Sequence, residues 1–307
     1  MNSWFSFSLP DFCYAFLSVL LEGVPFILLG TLLSGLIDQF LPSRVMTRFL
    51  PRNKFLGICA SAALGLVFPM CECGIVPVIR RLIAKGLPVS NGVAYMLAAP
   101  IVNPITAIST YAAFRGQGAM EFTALRLGLG FFVSVIVGLA VHNLCVGKVL
   151  KKDVLETIML SGDSSTAGGN QPLGRRFVAA MESGIRDFLD VMVYFIIGAG
   201  VASVFGTALN HEVLLPLSLK DWIAVPSMMG LAGLLALCSS SDAFIAATFV
   251  TFPAVAKLAF LVFGPMMDLK LLFIYSAVFT RKFVVCLAVG LFVLIGLLCL
   301  RLSVIGL

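Results

Sequence analysis

Two cysteines flank a glutamate in the stretch Phe68-Pro69-Met70-Cys71-Glu72-Cys73-Gly74-Ile75-Val76-Pro77. On a continuous α-helix residues i and i+2 point to nearly opposite sides, so Cys71 and Cys73 could not share a ligand there. Pro69, Gly74 and Pro77 disfavour a continuous helix, and on an unwound segment the two thiols can converge. A related stretch, Leu237-Cys238-Ser239-Ser240-Ser241-Asp242, sets a thiol, three hydroxyls and a carboxylate inside an otherwise apolar run. A carboxylate within a membrane is costly, and by default it marks a proton or ion pathway. Glu72 and Asp242 are the main candidates for that role. Two further breaks, Ala99-Pro100-Ile101-Val102-Asn103-Pro104 and Gly264-Pro265-Met266-Met267-Asp268, each put a polar residue three positions after a proline. Freed carbonyls and half-helix ends at such places can bind ions or polar groups, which adds Asn103 and Asp268 to the candidate site.

Blander readings stand beside these. A lone Cys-x-Cys is more often incidental than a ligand pair; here the flanking helix breakers and the cysteine of the second stretch argue for a site. Glu22 divides evenly between a functional residue and an interfacial one on a tilted helix. Asp268 could pair with Lys270 as an ordinary loop pair at the membrane surface. Pro100 and Pro104 could be plain kinks. Gly198, Gly200 and Ala202 read as small packing residues. His142 reads as a helix-end residue and His211 as a loop residue, with neither assigned to a metal.

These residues need elements to position them, and composition says which kind. The 307 residues are 60% hydrophobic and only 12% charged, with a mean hydropathy of +1.07. A soluble domain carries about 25% charged residues. A bilayer core of ~30 Å takes about 20 apolar residues per helix, so the chain can cross it many times. No segment shows the alternation of a membrane barrel strand, so the spans are helices. Apolar runs are expected at residues 12–37, 55–68, 93–114, 122–146, 188–209, 222–237, 244–263, 271–279 and 283–300. The first of these reads as a retained span, because Met1 to Pro10 has no basic start and does not read as a cleaved signal peptide.

The net charge of +6 does not point to nucleic acid. Basic residues form short clusters between apolar runs: Arg44, Arg48, Arg52 and Lys54; Lys148, Lys151 and Lys152; Arg175, Arg176 and Arg186; Arg281 and Lys282. That is the pattern of cytoplasmic loops under the positive-inside rule, with membrane lipid as the partner. The eight cysteines do not form a secreted disulfide framework. Cys13, Cys59, Cys145, Cys286 and Cys299 lie singly in apolar runs, where cysteine acts as a small hydrophobe.

The chain also repeats itself. Phe26-Ile-Leu-Leu-Gly30 resembles Tyr194-Phe-Ile-Ile-Gly198, with 41 positions from Gly30 to Cys71 and 40 from Gly198 to Cys238. Pro100-Ile-Val-Asn103 then matches Pro265-Met-Met-Asp268, and Tyr111-Ala-Ala-Phe114-Arg115 matches Tyr275 to Arg281. The reading is a first membrane repeat at 1–147, a cytoplasmic polar linker at 148–186 containing the linker-like Ser161–Pro172, and a second repeat at 187–307. If every basic cluster is cytoplasmic, each half crosses the bilayer an odd number of times. The expected fold is therefore all-α and polytopic, with two inverted-topology repeats whose broken or re-entrant helices meet near the midplane.

Pro69-Met-Cys-Glu-Cys-Gly-Ile-Val-Pro77, Leu97-Ala-Ala-Pro-Ile-Val-Asn-Pro104, Cys238-Ser-Ser-Ser-Asp-Ala-Phe244 and Gly264-Pro-Met-Met-Asp268 together resemble the bacterial predicted permease family, which includes the ArsP-type arsenical efflux permeases. The resemblance covers essentially the whole chain. It implies a multi-pass permease of the inner membrane, with efflux of trivalent arsenicals as the best-known activity. Thiolates select soft metals such as Cu(I) and Zn, and by the same softness they suit trivalent arsenic or antimony. Cys71, Cys73 and Cys238 could form a three-coordinate site between the repeats. The substrate-binding set is then Cys71, Glu72, Cys73, Asn103, Cys238, Ser239, Ser240, Ser241, Asp242 and Asp268. Protonation of Glu72 or Asp242 could release the cargo, giving proton-coupled efflux. The alternatives are Zn or Cu transport through the same thiol and carboxylate site, or a membrane thiol–disulfide oxidoreductase. No G-x-x-x-x-G-K-[ST] motif is present, so ATP hydrolysis by this chain is not expected. No cofactor and no enzymatic activity are expected, and a homo-oligomer is a possible assembly.

Overall fold

The computed structural model describes residues 8–40, 53–68, 70–144, 146–151, 173–208 and 221–305. Arg44, Arg48, Arg52, Lys152, the helix breaker Pro69, Cys145, Ser161–Pro172 and His211 lie outside them.

The described chain is helical. Its elements are α1 (Leu9–Phe40), α2 (Lys54–Val67), α3 (Ile75–Ala84), α4 (Val89–Ala98), α5 (Pro104–Ala113), α6 (Ala119–His142) and the single turn α7 (Val146–Val149). There follow α8 (Leu173–Ala208), α9 (Asp221–Leu235), α10 (Asp242–Thr248), α11 (Ala254–Met266), α12 (Leu269–Val278) and α13 (Arg281–Ile305). Among the described residues the β pairing is an isolated antiparallel bridge between Leu150 and Phe279. By length and composition, five stretches suffice to cross a membrane: Leu9–Ile37, Ala119–His142, Gly174–Thr207, Ala254–Val278 and Arg281–Val304. At 1.5 Å per residue the 32-residue α1 runs about 48 Å, whereas the ten-residue α3, α4 and α5 reach about 15 Å, half a bilayer core.

One order of elements runs twice. A long helix (α1, α8) is followed by an apolar helix (α2, α9) and a non-helical stretch, the first break at 68 and 70–74 and the second break at 236–241. Next come a short helix (α3, α10), a helix preceded by proline (α4, α11) and a further, shorter break at 99–103 or 267–268. A short helix (α5, α12) and a long one (α6, α13) end each series. Packing partners recur with the order: α2 lies on α4 as α9 lies on α11, and α4 on α6 as α11 on α13. Between the two series, α3 packs on α12 and α5 on α10.

The reason for the starts is local. Pro88 and Pro253 immediately precede α4 and α11, where a missing N–H leaves no helical bond unmade. Asn103 caps α5 by accepting a hydrogen bond from Ile105 N–H at 2.9 Å, with Pro104 at the first helical position. Asp268 does the same for α12, accepting from Leu271 N–H at 2.7 Å. Pro104 is thus a helix start and not a kink. The apolar run expected over 244–263 divides at 249–253, because Pro253 pushes its predecessor out of the α region and β-branched Val250 and Thr251 adapt poorly to a helix. Helix α8 begins at Leu173, so residues 173–186 of the expected linker are helical.

Burial sets the architecture. Helices α4 and α11 are buried on nearly every side, which marks them as the centre. Helices α1, α6, α8 and α13 carry exposed leucines, valines and phenylalanines suited to lipid. Helices α1 and α8 run antiparallel against each other: Gly23 faces Phe195, Thr31 faces Gly184, and Gly35 faces Ala180. An added Cβ at Gly35 would lie 2.1 Å from the Ala180 carbonyl oxygen, so the seam depends on small residues.

Candidate functional site

Where the first break meets α1, α8, the second break and α12, a cavity of about 20 Å³ remains. That is room for roughly one water-sized group. Its walls include Glu22 and Gly23 of α1, Cys71, Glu72 and Cys73 of the first break, Phe195 of α8, Ala236 and Cys238 of the second break, and Lys270 of α12. The three candidate thiols therefore border one space although 167 positions separate Cys71 from Cys238. All three are free cysteines; Cys73 is buried, and Cys71 and Cys238 are half-buried. Among the described residues no three of His, Cys, Asp and Glu stand close enough together to hold a metal ion, so the thiols share a cavity without forming a ready-made ligand set.

Two glycines at matched places in the two series press the backbone into this geometry. A Cβ on Gly30 would lie 2.4 Å from the Gly74 carbonyl oxygen, and a Cβ on Gly74 would lie 2.7 Å from the Phe26 carbonyl oxygen. On α8, a Cβ at Gly198 would meet Lys270 Cα at 2.9 Å. Gly30 thus backs the break that carries Glu72, and Gly198 backs the turn that carries Lys270. The reading of Gly198 as a packing residue holds, and the surface it packs against is the candidate site.

Lys270 organises the interior. It is 3% exposed, and its Nζ donates to Glu72 Oε1 at 3.2 Å, to the Ala236 carbonyl at 2.8 Å and to the Leu237 carbonyl at 3.3 Å. An ammonium has three N–H groups, and all three are used. Asp268 Oδ2 stands 3.3 Å away, so one cation faces two buried carboxylates. Ala236 adopts φ of +48°, the left-handed region that side chains avoid, while its carbonyl accepts the shortest of the Lys270 bonds. Asp268 and Lys270 are therefore a buried pair, not a surface one.

A second ion pair lies apart from the cavity. Arg126 of α6 is fully buried and donates to Asp242 Oδ2 at 2.6 Å, to the Ser239 carbonyl at 3.2 Å and to Thr110 Oγ1 at 2.8 Å. The two pairs are reciprocal. Glu72 of the first break is held by a cation of the second series, and Asp242 at the end of the second break by a cation of the first. One oxygen of each carboxylate, Glu72 Oε2 and Asp242 Oδ1, has no hydrogen-bond partner in the protein.

The remaining candidates fall around the cavity without lining it. Ser239 is buried and offers its carbonyl to Arg126. Ser240 Oγ approaches Cys238 Sγ at 3.7 Å, and Ser241 Oγ donates to the Cys238 carbonyl at 3.1 Å, so both hydroxyls stabilise the turn. Asn103 is buried as the cap of α5 and does not border the cavity. Sequence reasoning left out Arg126 and Lys270. The available signal was their charge inside or beside apolar runs, where a cation is as costly as a carboxylate.

Comparison with known proteins gives a consistent picture. The family ArsP_1, described as a predicted permease, matches residues 8–303. The UPF0718 protein YcgR of Bacillus subtilis (strain 168) is 40% identical over 271 residues, covering 88% of this chain and 89% of that protein. A Streptococcus mutans protein named "Putative two-component membrane permease complex subunit" is 32% identical over 270 residues, covering 88% of this chain and 87% of its own length. No solved structure gives a significant match.

Proposed function

The chain belongs to the predicted permease family, a multi-pass membrane protein by that membership and by its apolar helices, and on this premise we propose that it exports a soft metal(loid), such as a trivalent arsenic or antimony species, across the inner membrane by proton-coupled secondary transport. One observation carries the reading: Cys71 and Cys73 from one half and Cys238 from the other border a single small cavity. Thiol sulfurs are soft donors, and a thiophilic ion or its hydroxide can draw them together. Membership in a permease family supports a transporter over an enzyme.

The two series of elements act as inverted repeats, at 1–147 and 187–307, joined by the polar linker at 148–186. The antiparallel course of the equivalent helices α1 and α8 supports this, as do basic clusters that one orientation places on a single side. Glu72 and Asp242 take the coupling proton on the oxygens that lack a partner. Neutralising either carboxylate weakens an ion pair that ties one half to the other, and protons compete with the cargo for thiolate. The name of the Streptococcus mutans relative supports a second polypeptide working beside this chain.

The test is growth of a strain lacking its own exporters, expressing this chain, in arsenite, antimonite, methylarsenite, zinc or copper. Cys71→Ser, Cys73→Ser and Cys238→Ser variants run in parallel. Protection against a trivalent metalloid that each variant loses supports the reading, and its loss on collapse of the proton gradient supports the coupling. Protection against zinc or copper alone moves the substrate to those ions. Protection that survives all three substitutions removes the thiols from the site.

A further inference from the structure

A second cavity, of about 230 Å³, lies along the same helices as the thiol cavity. Pro77 and Arg80 of α3, Asp187, Asp190 and Tyr194 of α8, and Ala277 of α12 border it. All three helices lead to the smaller space: α3 emerges from the Cys71–Glu72–Cys73 break, α8 supplies Phe195, and α12 supplies Lys270. Eight residues of α8 separate Asp187 from Phe195, about 12 Å at 1.5 Å per residue. Val191 and Phe195, one turn apart and both buried, belong to this stretch; Val191 borders the larger cavity and Phe195 the smaller.

The lining differs sharply from its surroundings. Asp187 is buried and fully engaged, gripped by Arg81 Nε at 3.0 Å and Nη2 at 3.1 Å with Ser34 Oγ at 3.3 Å. Arg80, by contrast, stands 4.0 Å from Asp187 and 3.8 Å from Asp190, at the outer limit of an ion pair. The Asp190 side chain is 68% exposed, so the chamber is open there and closed at Asp187. Lys151 completes the rim over the ring of Tyr194. Its backbone is pinned to the end of α12 by Lys151 N–H to the Val278 carbonyl at 3.1 Å, next to Thr280 N–H to the Val149 carbonyl at 2.9 Å. Charged side chains gathered in a cavity of a membrane protein mark a path for polar cargo. This end is also the basic end, with Arg80 and Arg81 on α3, Lys85 just after it and Arg175, Arg176 and Arg186 on α8, which the positive-inside rule assigns to the cytoplasmic side.

We infer that this chamber is the cytoplasmic port of the thiol cavity, admitting a small hydroxylated species that accepts from Arg80 and Lys151, donates to Asp190, and passes Phe195 to reach Cys71, Cys73 and Cys238. The inference deepens the transport reading and rests on it for the cargo, but not for the path.

The path is tested without cargo. Inside-out and right-side-out vesicles carrying the full chain are treated with small membrane-impermeant methanethiosulfonates, and modification of Cys71 and Cys238 is read by mass spectrometry. Labelling is expected from the cytoplasmic face. Ala277→Trp, which fills the chamber, is expected to slow it tenfold or more, whereas Gly128→Trp, whose Cβ meets open space on the surface of α6, leaves it unchanged. Asp190→Lys, at an exposed position, keeps the test open if the tryptophan variant does not fold. It is expected to raise the rate ratio of an anionic to a cationic reagent several-fold. Absence of labelling from the cytoplasmic face, or labelling that ignores both Ala277→Trp and Asp190→Lys, overturns the port. Growth assays without metalloid protection, beside labelling as expected, would discard the cargo and keep the path.

Discussion

Replacing Lys270 by methionine keeps the length of the side chain and deletes the charge that holds two carboxylates inside the protein. Glu72 is fully buried and Asp268 is 2% exposed, and Lys270 Nζ lies 3.2 and 3.3 Å from their oxygens. Removing one partner of a buried ion pair costs about 3–5 kcal/mol, because the other charge is left uncompensated. The carbonyls of Ala236 and Leu237 lose their donor as well, each worth about 1 kcal/mol. The expected loss for Lys270→Met is therefore at least about 3 kcal/mol, or roughly a hundredfold in the ratio of folded to unfolded protein. Glu72→Gln in the same background removes one stranded charge. The double variant should thus be more stable than the sum of the single losses predicts, by about 1–3 kcal/mol. Reversible unfolding in mixed detergent–SDS micelles reads these energies directly. A Lys270→Met protein as stable as the parent, or strictly additive losses, would refute the claim that one ammonium organises the cavity.

Other expectations follow from single contacts. Gly30→Ala and Gly198→Ala should each destabilise by about 1–3 kcal/mol in the same titration, since the new Cβ would meet backbone at 2.4 and 2.9 Å. Gly128→Ala, with open space around it, should not. Arg126→Met should cost about 3–5 kcal/mol by stranding Asp242, far more than Arg186→Met, whose partner Glu182 is exposed. Asn103→Ala should cost about 1 kcal/mol through the lost cap of α5. Transport per folded molecule then decides whether Asn103 also touches cargo, an unchanged rate assigning it to capping alone.

Much of the fold was legible because lipid leaves few options. Apolar runs of the right length must be helices, and breaks in them must be buried or line a space. The breaks at 70–74, 99–103, 236–241 and 267–268 all fall where proline, glycine or clustered polar residues announced them. The split at 249–253 was missed, because Val250 and Phe252 keep that run apolar although Pro253 ends it. The thiols could be grouped from the spacing of the two series, since Cys71 and Cys238 fall at matched places in them. The cations could not. Arg126 stands among leucines, phenylalanines and glycines in a run that reads as uninterrupted span, and Lys270 follows Asp268 so closely that an ordinary surface pair stands beside the site reading. What pairs with a buried charge is set by packing between distant helices, which no local pattern encodes.

The destination of those two cations explains why the interior tolerates them. Lys270 donates to the carbonyls of Ala236 and Leu237, and Arg126 donates to the carbonyl of Ser239, so both serve the second break. An unwound segment at membrane depth frees carbonyls that water cannot reach, and each needs a donor. A cation meets that need only if its own charge is balanced, and Glu72, Asp268 and Asp242 supply the balance. The carboxylates thus have a structural task before any role in coupling. Coupling then requires that one of them give up its partner during the cycle. Lys270→Arg separates the two tasks. Its guanidinium can still donate to the carbonyls and balance the charge, so stability should stay near that of the parent. If Glu72 must release its cation for each molecule moved, the bidentate grip of arginine on a carboxylate should slow transport while the fold survives. Equal transport rates in the two proteins would leave Glu72 and Lys270 as scaffold, with Asp242 the remaining candidate for the proposed coupling.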